Sequence, residues 1–547
     1  MTSTAPRPTS PAGTEERGSW LPMASLFLAQ VLMSFNLAAL PVSLGGMVED
    51  FGVPPTTVSS TIVIYGLTVA ALVMTGAKVG QRIGWVVMFR VTIAGFGGSA
   101  LMMVLAPSVG WAIGAQALAG ASAAIIVPSL VALIAENYQG PQQATAVGSL
   151  GSARAISGVT AFFVGGTLGT LIGWRPVFGV VLLLAVAVLL LSTRLRSDGG
   201  NRDVRIDLVA AVLIGLAVVL LTLGFNNLNA WGLLVATPEA PVSIAGVSPA
   251  PVLVVLGIVL GQTFFWWTRR RTAAGRMPLV DLRVLAAPSE RAAVYAMFVI
   301  VALEAALNFT VPLYIQIVQG RTPFDTALAM MPFNLTVFVT ATLIVRFYGR
   351  FPPRTIGVFG FTLTTVALTW LAFVVTNNWE TLPTILGLLV FGVGQGALVT
   401  LVFNVLVTAA PKHLAGDVGS IRGTTQNLAS AVGTALVGAL LVTILSVNVG
   451  RAVVEHPELP ADLVAQVDLD AVNFVSNDEL REALASTDAD QGQVDAAVAL
   501  NEEARLNTLR LGLLVLAGVS ATAILPASRL PRYRPGEIPV PSPEGED

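Results

Sequence analysis

Residues 76–85 read GAKVGQRIGW, from Gly76 to Trp85. Lys78 and Arg82, with Gly76, Gly80 and Gly84, interrupt two apolar runs at 58–77 and 86–106. A helix needs about 20 apolar residues to cross the hydrocarbon layer, and both runs have that length. Cations in the short segment between such runs hold it on the cytoplasmic side. The glycines permit a tight turn. The stretch is therefore a hinge between two membrane-spanning helices.

The composition generalises this reading. The 547 residues are 54% hydrophobic and only 11% charged, where soluble proteins carry about 25% charged residues. A net charge of −2 provides no cationic field for nucleic acid. Without cysteine there is no disulfide, thiolate metal site or cysteine nucleophile, and His413 and His456 cannot form a histidine cluster. The chain is expected to be an all-α integral membrane protein with no cofactor.

Apolar runs recur near 20–41, 58–77, 86–106, 110–135, 145–172, 175–193, 207–228, 249–268, 290–317, 325–346, 355–376, 381–409, 418–447 and 508–526, which makes fourteen spans. Alternate loops collect the cations: Lys78 and Arg82, then Arg194, Arg196, Arg202 and Arg205, then the run from Arg269 to Arg283. Arg346, Arg350, Arg354, Lys412, Arg529, Arg532 and Arg534 complete that side. The positive-inside rule makes it cytoplasmic, and an even number of spans puts both termini there. Residues 1–19, rich in Pro, Thr and Ser, and residues 527–547 are expected to be cytoplasmic tails, the first disordered. Residues 448–507 form an acidic extracytoplasmic loop with helix-compatible segments such as NDELREALAST.

The chain also repeats itself. AKVGQRIGWVVMFRVTIAG at 77–95 is echoed by IVRFYGRFPPRTIGVFG at 344–360, and Val147-Gly148-Ser149 by Val418-Gly419-Ser420. Gln116 and Gln395 each follow a glycine into a small-residue helix. These echoes pair span 2 with 10, 4 with 12 and 5 with 13. An offset of eight requires two six-helix halves with two further helices between them. The halves are 20–193 and 286–526, the latter interrupted by the acidic loop, with the inserted helices and linkers at 194–285. Parallel halves are a transporter signature, with the substrate expected near mid-membrane between them.

In these motifs the chain resembles the major facilitator superfamily, and within it the fourteen-helix drug:proton antiporters. Arg82 and Gly84 match the Asp-Arg-x-Gly core of the family's cytoplasmic gate motif, with Lys78 preceding and Gln81 at the Asp. Ala39-Leu40-Pro41, Val164-Gly165-Gly166 and Gly173-Trp174-Arg175 match further motifs. The resemblance implies proton coupling through a first-helix Asp and a fourth-helix Arg, and exchange through a fifth-helix Gly-Pro. Those positions hold Leu32, Gln116 and Ala161-Phe162, so the first half lacks the family's coupling groups. The family's gate Asp would pair with cations and latch the cytoplasmic side. Gln81 keeps hydrogen bonding without charge, so a weaker latch is expected, and Gln81→Asp is expected to strengthen it.

An ionisable group deep in the bilayer costs at least a few kcal/mol and marks function by default. Glu304 stands about fifteen residues into its span, some 22 Å along the helix, with Asn308 one turn on. It is expected to carry a proton, neutralise a cationic substrate or form a structural ion pair. Arg154, deep in the fifth span, could pair with it across a central cavity, bind an anionic head group, or hydrogen-bond backbone carbonyls. Gln395, Asn404, Gln426, Asn427 and Gln316 are candidate cavity amides or interhelical contacts. Arg90 and Arg422 are expected to snorkel. The glycines of GVGQG permit close helix packing, since no strand precedes them and no Lys-Ser/Thr follows. No catalytic constellation is present, so the chain is not expected to be an enzyme. The expected function is a monomeric secondary transporter in the cell membrane, exporting amphipathic or cationic organic molecules against protons. An uncoupled facilitator or lipid exporter is the alternative.

Overall fold

The computed structural model describes residues 19–532 except 54, 139, 196–198, 239, 244–245, 316–322, 348–349, 377–380, 410–413, 456–480 and 482–490. Fourteen long helices follow in order: α1 Leu21–Phe51, α2 Pro55–Ile83, α3 Trp85–Val104, α4 Val109–Asn137, α5 Gly140–Ile172, α6 Arg175–Ser192 and α7 Leu208–Asn226. They continue with α8 Pro249–Ala273, α9 Pro288–Leu313, α10 Pro323–Leu343, α11 Pro353–Val374, α12 Leu382–Ala409, α13 Ala415–Glu455 and α14 Gln491–Thr522. The long apolar runs within them explain the helices: with no water in the hydrocarbon, every peptide group there must be bonded within its own segment. Leu183, Leu190, Leu208, Phe359 and Phe373 are all more than 60% exposed and form the lipid-facing surface.

The repeat seen in the sequence is a repeat of packing. α2 packs on α4 as α10 packs on α12, α3 on α4 as α11 on α12, α1 on α5 as α9 on α13, and α3 on α6 as α11 on α14. The glycines are where backbones meet. A Cβ on Gly120 of α4 would lie 2.6 Å from the Tyr65 carbonyl oxygen of α2, and one on Gly396 of α12 the same distance from that of Val337 on α10. Helices α7 and α8 form a hairpin that docks on α2 and α13. It is pinned where Asp207, the N-cap of α7, takes hydrogen bonds from Ala210 N and Trp267 Nε1 and pairs with Arg271 at 3.1 Å.

Between the halves, α5 meets α10 and α12, while α13 meets α2 and α4. Glycine contacts place this seam: Gly148 against Val345 and Thr400, Gly419 against Pro128, and Gly423 against Val73 and Val127. All lie toward the cation-rich end, so the halves are closed there.

Two boundaries differ from expectation. α13 runs on to Glu455, and α14 begins at Gln491 rather than 508, because QGQVDAAVAL has no proline and continues the helical period into the apolar run. The tails at 1–18 and 533–547, the acidic stretch at 456–480, Gln316, His413 and His456 lie outside the described residues.

Candidate functional site at the seam between the halves

Glu304 lies about 24 Å along α9 from Pro288 at the helical rise. Arg154 Nη2 of α5 approaches Glu304 Oε1 at 3.1 Å, with the two side chains 31% and 19% exposed. Gln395 of α12 donates from Nε2 to Glu304 Oε2 at 3.0 Å and also points at the Ile300 carbonyl at 3.4 Å. Its Oε1 is buried without a hydrogen-bond partner among the described residues. One carboxylate is thus held on both oxygens, by a cation from one half and an amide from the other. The halves cannot part here without breaking the ion pair.

Arg422 does not snorkel. From α13 its guanidinium carbon sits 3.7 Å from the centroid of the Phe403 ring on α12, a cation–π contact that holds a charge inside the protein. Arg154 is near enough for its charge to act on Arg422. Arg90 is likewise engaged: its Nη2 donates at 2.9 Å to the Ser192 carbonyl, in the last turn of α6. The Arg90 bond lies at the cation-rich end of both helices, as snorkelling requires, whereas Arg422 is held by a ring that counting residues from the helix end does not reveal.

The amides divide. Asn404 donates to the Thr400 carbonyl and Asn427 to that of Gly423, each one turn back on its own helix. Gln426 is half-buried and Asn308 exposed on the face of α9 that carries Glu304.

A second ionic contact joins the halves at the cation-rich end. Lys78 Nζ of the opening stretch lies 2.8 Å from Asp417 Oδ1 and 3.1 Å from Oδ2. Asp417 is completely buried and Lys78 is 8% exposed. Gln81 accepts from Lys78 Nζ at 3.1 Å and donates to Asp417 Oδ1 at 3.4 Å. The acid that position 81 lacks is thus present nearby, supplied by Asp417 of the opposite half. Trp85 fills the space left by Gly80 and Gly416, so two glycines of different halves share one indole.

The linkers flanking the α7–α8 hairpin close over this latch. Asn201 N donates to the Gln81 carbonyl, and Asp281 N to Asp417 Oδ2 at 3.0 Å. Burial pushes the Asp281 carboxyl up, but hydrogen bonds from Arg283 and the charges of Arg283 and Lys78 bring it below its ordinary value. Asp417 and Asp281 were missed by sequence reasoning. The available signal was an acid at the edge of an otherwise cationic loop. Arg82 is exposed, and Gly84 turns the chain at φ 112°.

In the first half, neutral groups stand where the resemblance implies charge. Asn36 Nδ2 donates to Gln116 Oε1 at 3.1 Å, both buried, one turn from the buried Leu32. Ala161 is fully buried; the Phe162 side chain lies outside the described residues. Among the described residues no group of His, Asp or Glu could hold a metal ion.

The family model of the Major Facilitator Superfamily matches residues 26–434. The multidrug efflux pump LfrA of Mycolicibacterium smegmatis is 24% identical over 436 residues, covering 79% of this chain and 82% of that protein. The multidrug resistance protein Stp of Mycobacterium tuberculosis is 24% identical over 465 residues, 84% of this chain and 82% of its own. In structure, the proton:xylose symporter XylE superposes with a TM-score of 0.58 at 10% identity, over 95% of this chain and 97% of XylE. Duplicated six-helix packing, an inter-halves seam and a family match over most of the length lead to one conclusion: the chain belongs to the Major Facilitator Superfamily of membrane transporters, not to a class of enzymes.

Proposed function

We propose that the protein exports amphipathic organic compounds across the cytoplasmic membrane by alternating access, in exchange for protons. The observation that carries this reading is the Arg154–Glu304 pair, which ties the halves together about 24 Å along α9. A proton on Glu304 removes the charge that holds Arg154, so proton uptake weakens the bond between the halves at the moment they must separate. The cation-rich end is cytoplasmic by the positive-inside rule. The described state is then closed to the cytoplasm, with Lys78–Asp417 as its latch. The efflux and resistance names of the relatives support the direction of transport.

Everted membrane vesicles provide the test, with an amphipathic dye and an imposed proton gradient. Glu304→Gln should bind dye but lose gradient-driven accumulation. Wild-type accumulation by this variant would remove Glu304 from the mechanism. The neutral Asn36–Gln116 contact favours a second reading, an uncoupled facilitator. Dye movement that persists at full rate after an uncoupler would select it.

A further inference from the structure

Charge at the centre does not balance. The charge of Arg154 reaches Arg422, and among the described residues Glu304 is the only carboxylate within 4.0 Å of either. Glu304 meets Arg154 through Nη2 alone, and the other nitrogens of Arg154 have no hydrogen bond or ion pair to a described residue. Among the described residues Arg422 has no acid within that distance, only the face of Phe403. Its guanidinium edge, which carries every donor, is therefore unused by the described residues. The residue is half-buried, so part of that surface remains open at the seam. A guanidinium kept inside a membrane protein without a counter-ion is expensive, and a ligand that brings the missing negative charge repays that cost. The Phe403 ring beneath it orients the fork and gives an aromatic ligand an apolar wall.

We infer that the central site takes amphipathic molecules bearing an anionic group, a carboxylate, sulfonate or phosphate, which docks on Arg422 beside the Arg154–Glu304 pair. The inference rests on the transport reading for its location and narrows its substrate class. It replaces a cationic substrate with an anionic one, because Glu304 already has its cation and Arg422 has no anion. The same chemistry could come from a soluble compound or from a phospholipid head group.

The test uses the purified full-length protein in nanodiscs and three probes of one shape: naphthalenesulfonate, naphthalenemethanol and naphthyltrimethylammonium. Calorimetry should give saturable sulfonate binding tighter than either other probe. Arg422→Gln should weaken the sulfonate about tenfold, the scale of one charge-assisted pair, and leave the alcohol within about twofold. Arg422→Lys, which keeps the charge, should retain part of the preference and controls for folding. Tighter binding of the ammonium probe, absence of saturable sulfonate binding, or equal weakening of all three by Arg422→Gln would each overturn the inference. Added phosphatidylglycerol separates the sources: competition with the sulfonate identifies a lipid head group, and indifference identifies a soluble anion. Arg422-dependent binding without probe accumulation in everted vesicles would remove the export reading and leave the site. Accumulation without charge preference would do the reverse.

Discussion

Replacing Asp417 by Asn should open the cation-rich end. Asp417 is fully buried and receives Lys78 Nζ on both oxygens, Asp281 N at 3.0 Å and Gln81 Nε2 at 3.4 Å. Asn preserves the size and one acceptor oxygen but removes the counter-charge, leaving Lys78 as a buried cation with neutral acceptors alone, the Asn oxygen and Gln81 Oε1 at 3.1 Å. Stranding one member of a buried pair costs about 3–5 kcal/mol. The Gln81 contact and the 10% exposure of the Lys78 side chain argue for the lower figure. In the opened state both groups meet water and the penalty disappears, so about 3 kcal/mol falls on the closed state alone. That moves the closed-to-open ratio about a hundredfold. The chain has no cysteine, so spin labels can be placed at Thr193→Cys and Arg350→Cys, exposed positions at this end of the two halves. Pulsed dipolar spectroscopy should show a dominant short distance in the parent and a longer one in Asp417→Asn. The double variant Lys78→Met, Asp417→Leu removes the stranded charge and should stay closer to the parent. Distance distributions that superpose for parent and Asp417→Asn would refute the latch. Equal opening in the double variant would refute the electrostatic account of it.

Two further outcomes follow from the same geometry. Gln81→Asp is now expected to loosen the latch rather than tighten it, because it sets a second carboxylate beside Asp417 and removes the Nε2 donor; the same labels read this as a longer mean distance. Asp281 has a depressed carboxyl, so its contribution to stability is present above the unfolded value and is lost as pH falls through the folded one. The melting temperatures of parent and Asp281→Asn should therefore differ at neutral pH and converge below the ordinary carboxylate range.

What was legible in the sequence followed from where charge and glycine are rare. Glu304 and Arg154 stand out because an apolar span has almost no other ionisable residue, and the energy that makes them rare also makes them pair. The two halves were legible through short echoes such as Val147-Gly148-Ser149 and Val418-Gly419-Ser420, whose glycines both sit where the halves touch. Asp417 stayed hidden for the opposite reason. It sits at a loop edge where acids are ordinary, and only tertiary packing reveals that it is buried on Lys78. Arg422 was misread because helix position predicts distance from water but not the ring that replaces water. The neutral Asn36–Gln116 contact was half visible: the missing charges could be read, the bond between their substitutes could not.

The two ionic contacts between the halves share a polarity, and that constrains the cycle. In each the cation comes from the first half and the acid from the second. The outer contact, Lys78–Asp417, opens into water, where both ions are rehydrated and the net cost is small. The inner contact, Arg154–Glu304, is the more exposed of the two, its side chains 31% and 19% open, and in the proposed cycle a proton on Glu304 or an anion for the arginines releases it. If the site holds an anion, a membrane potential negative inside already drives it outward by about 2.3 kcal/mol per charge per 100 mV. The electrical gradient then carries the substrate, while the proton releases Arg154 and frees the halves to reset. On this account Glu304→Gln should keep a slow, potential-driven efflux of the anion that no longer responds to a pH gradient. Complete loss of potential-driven efflux would show instead that the proton is needed for every outward step.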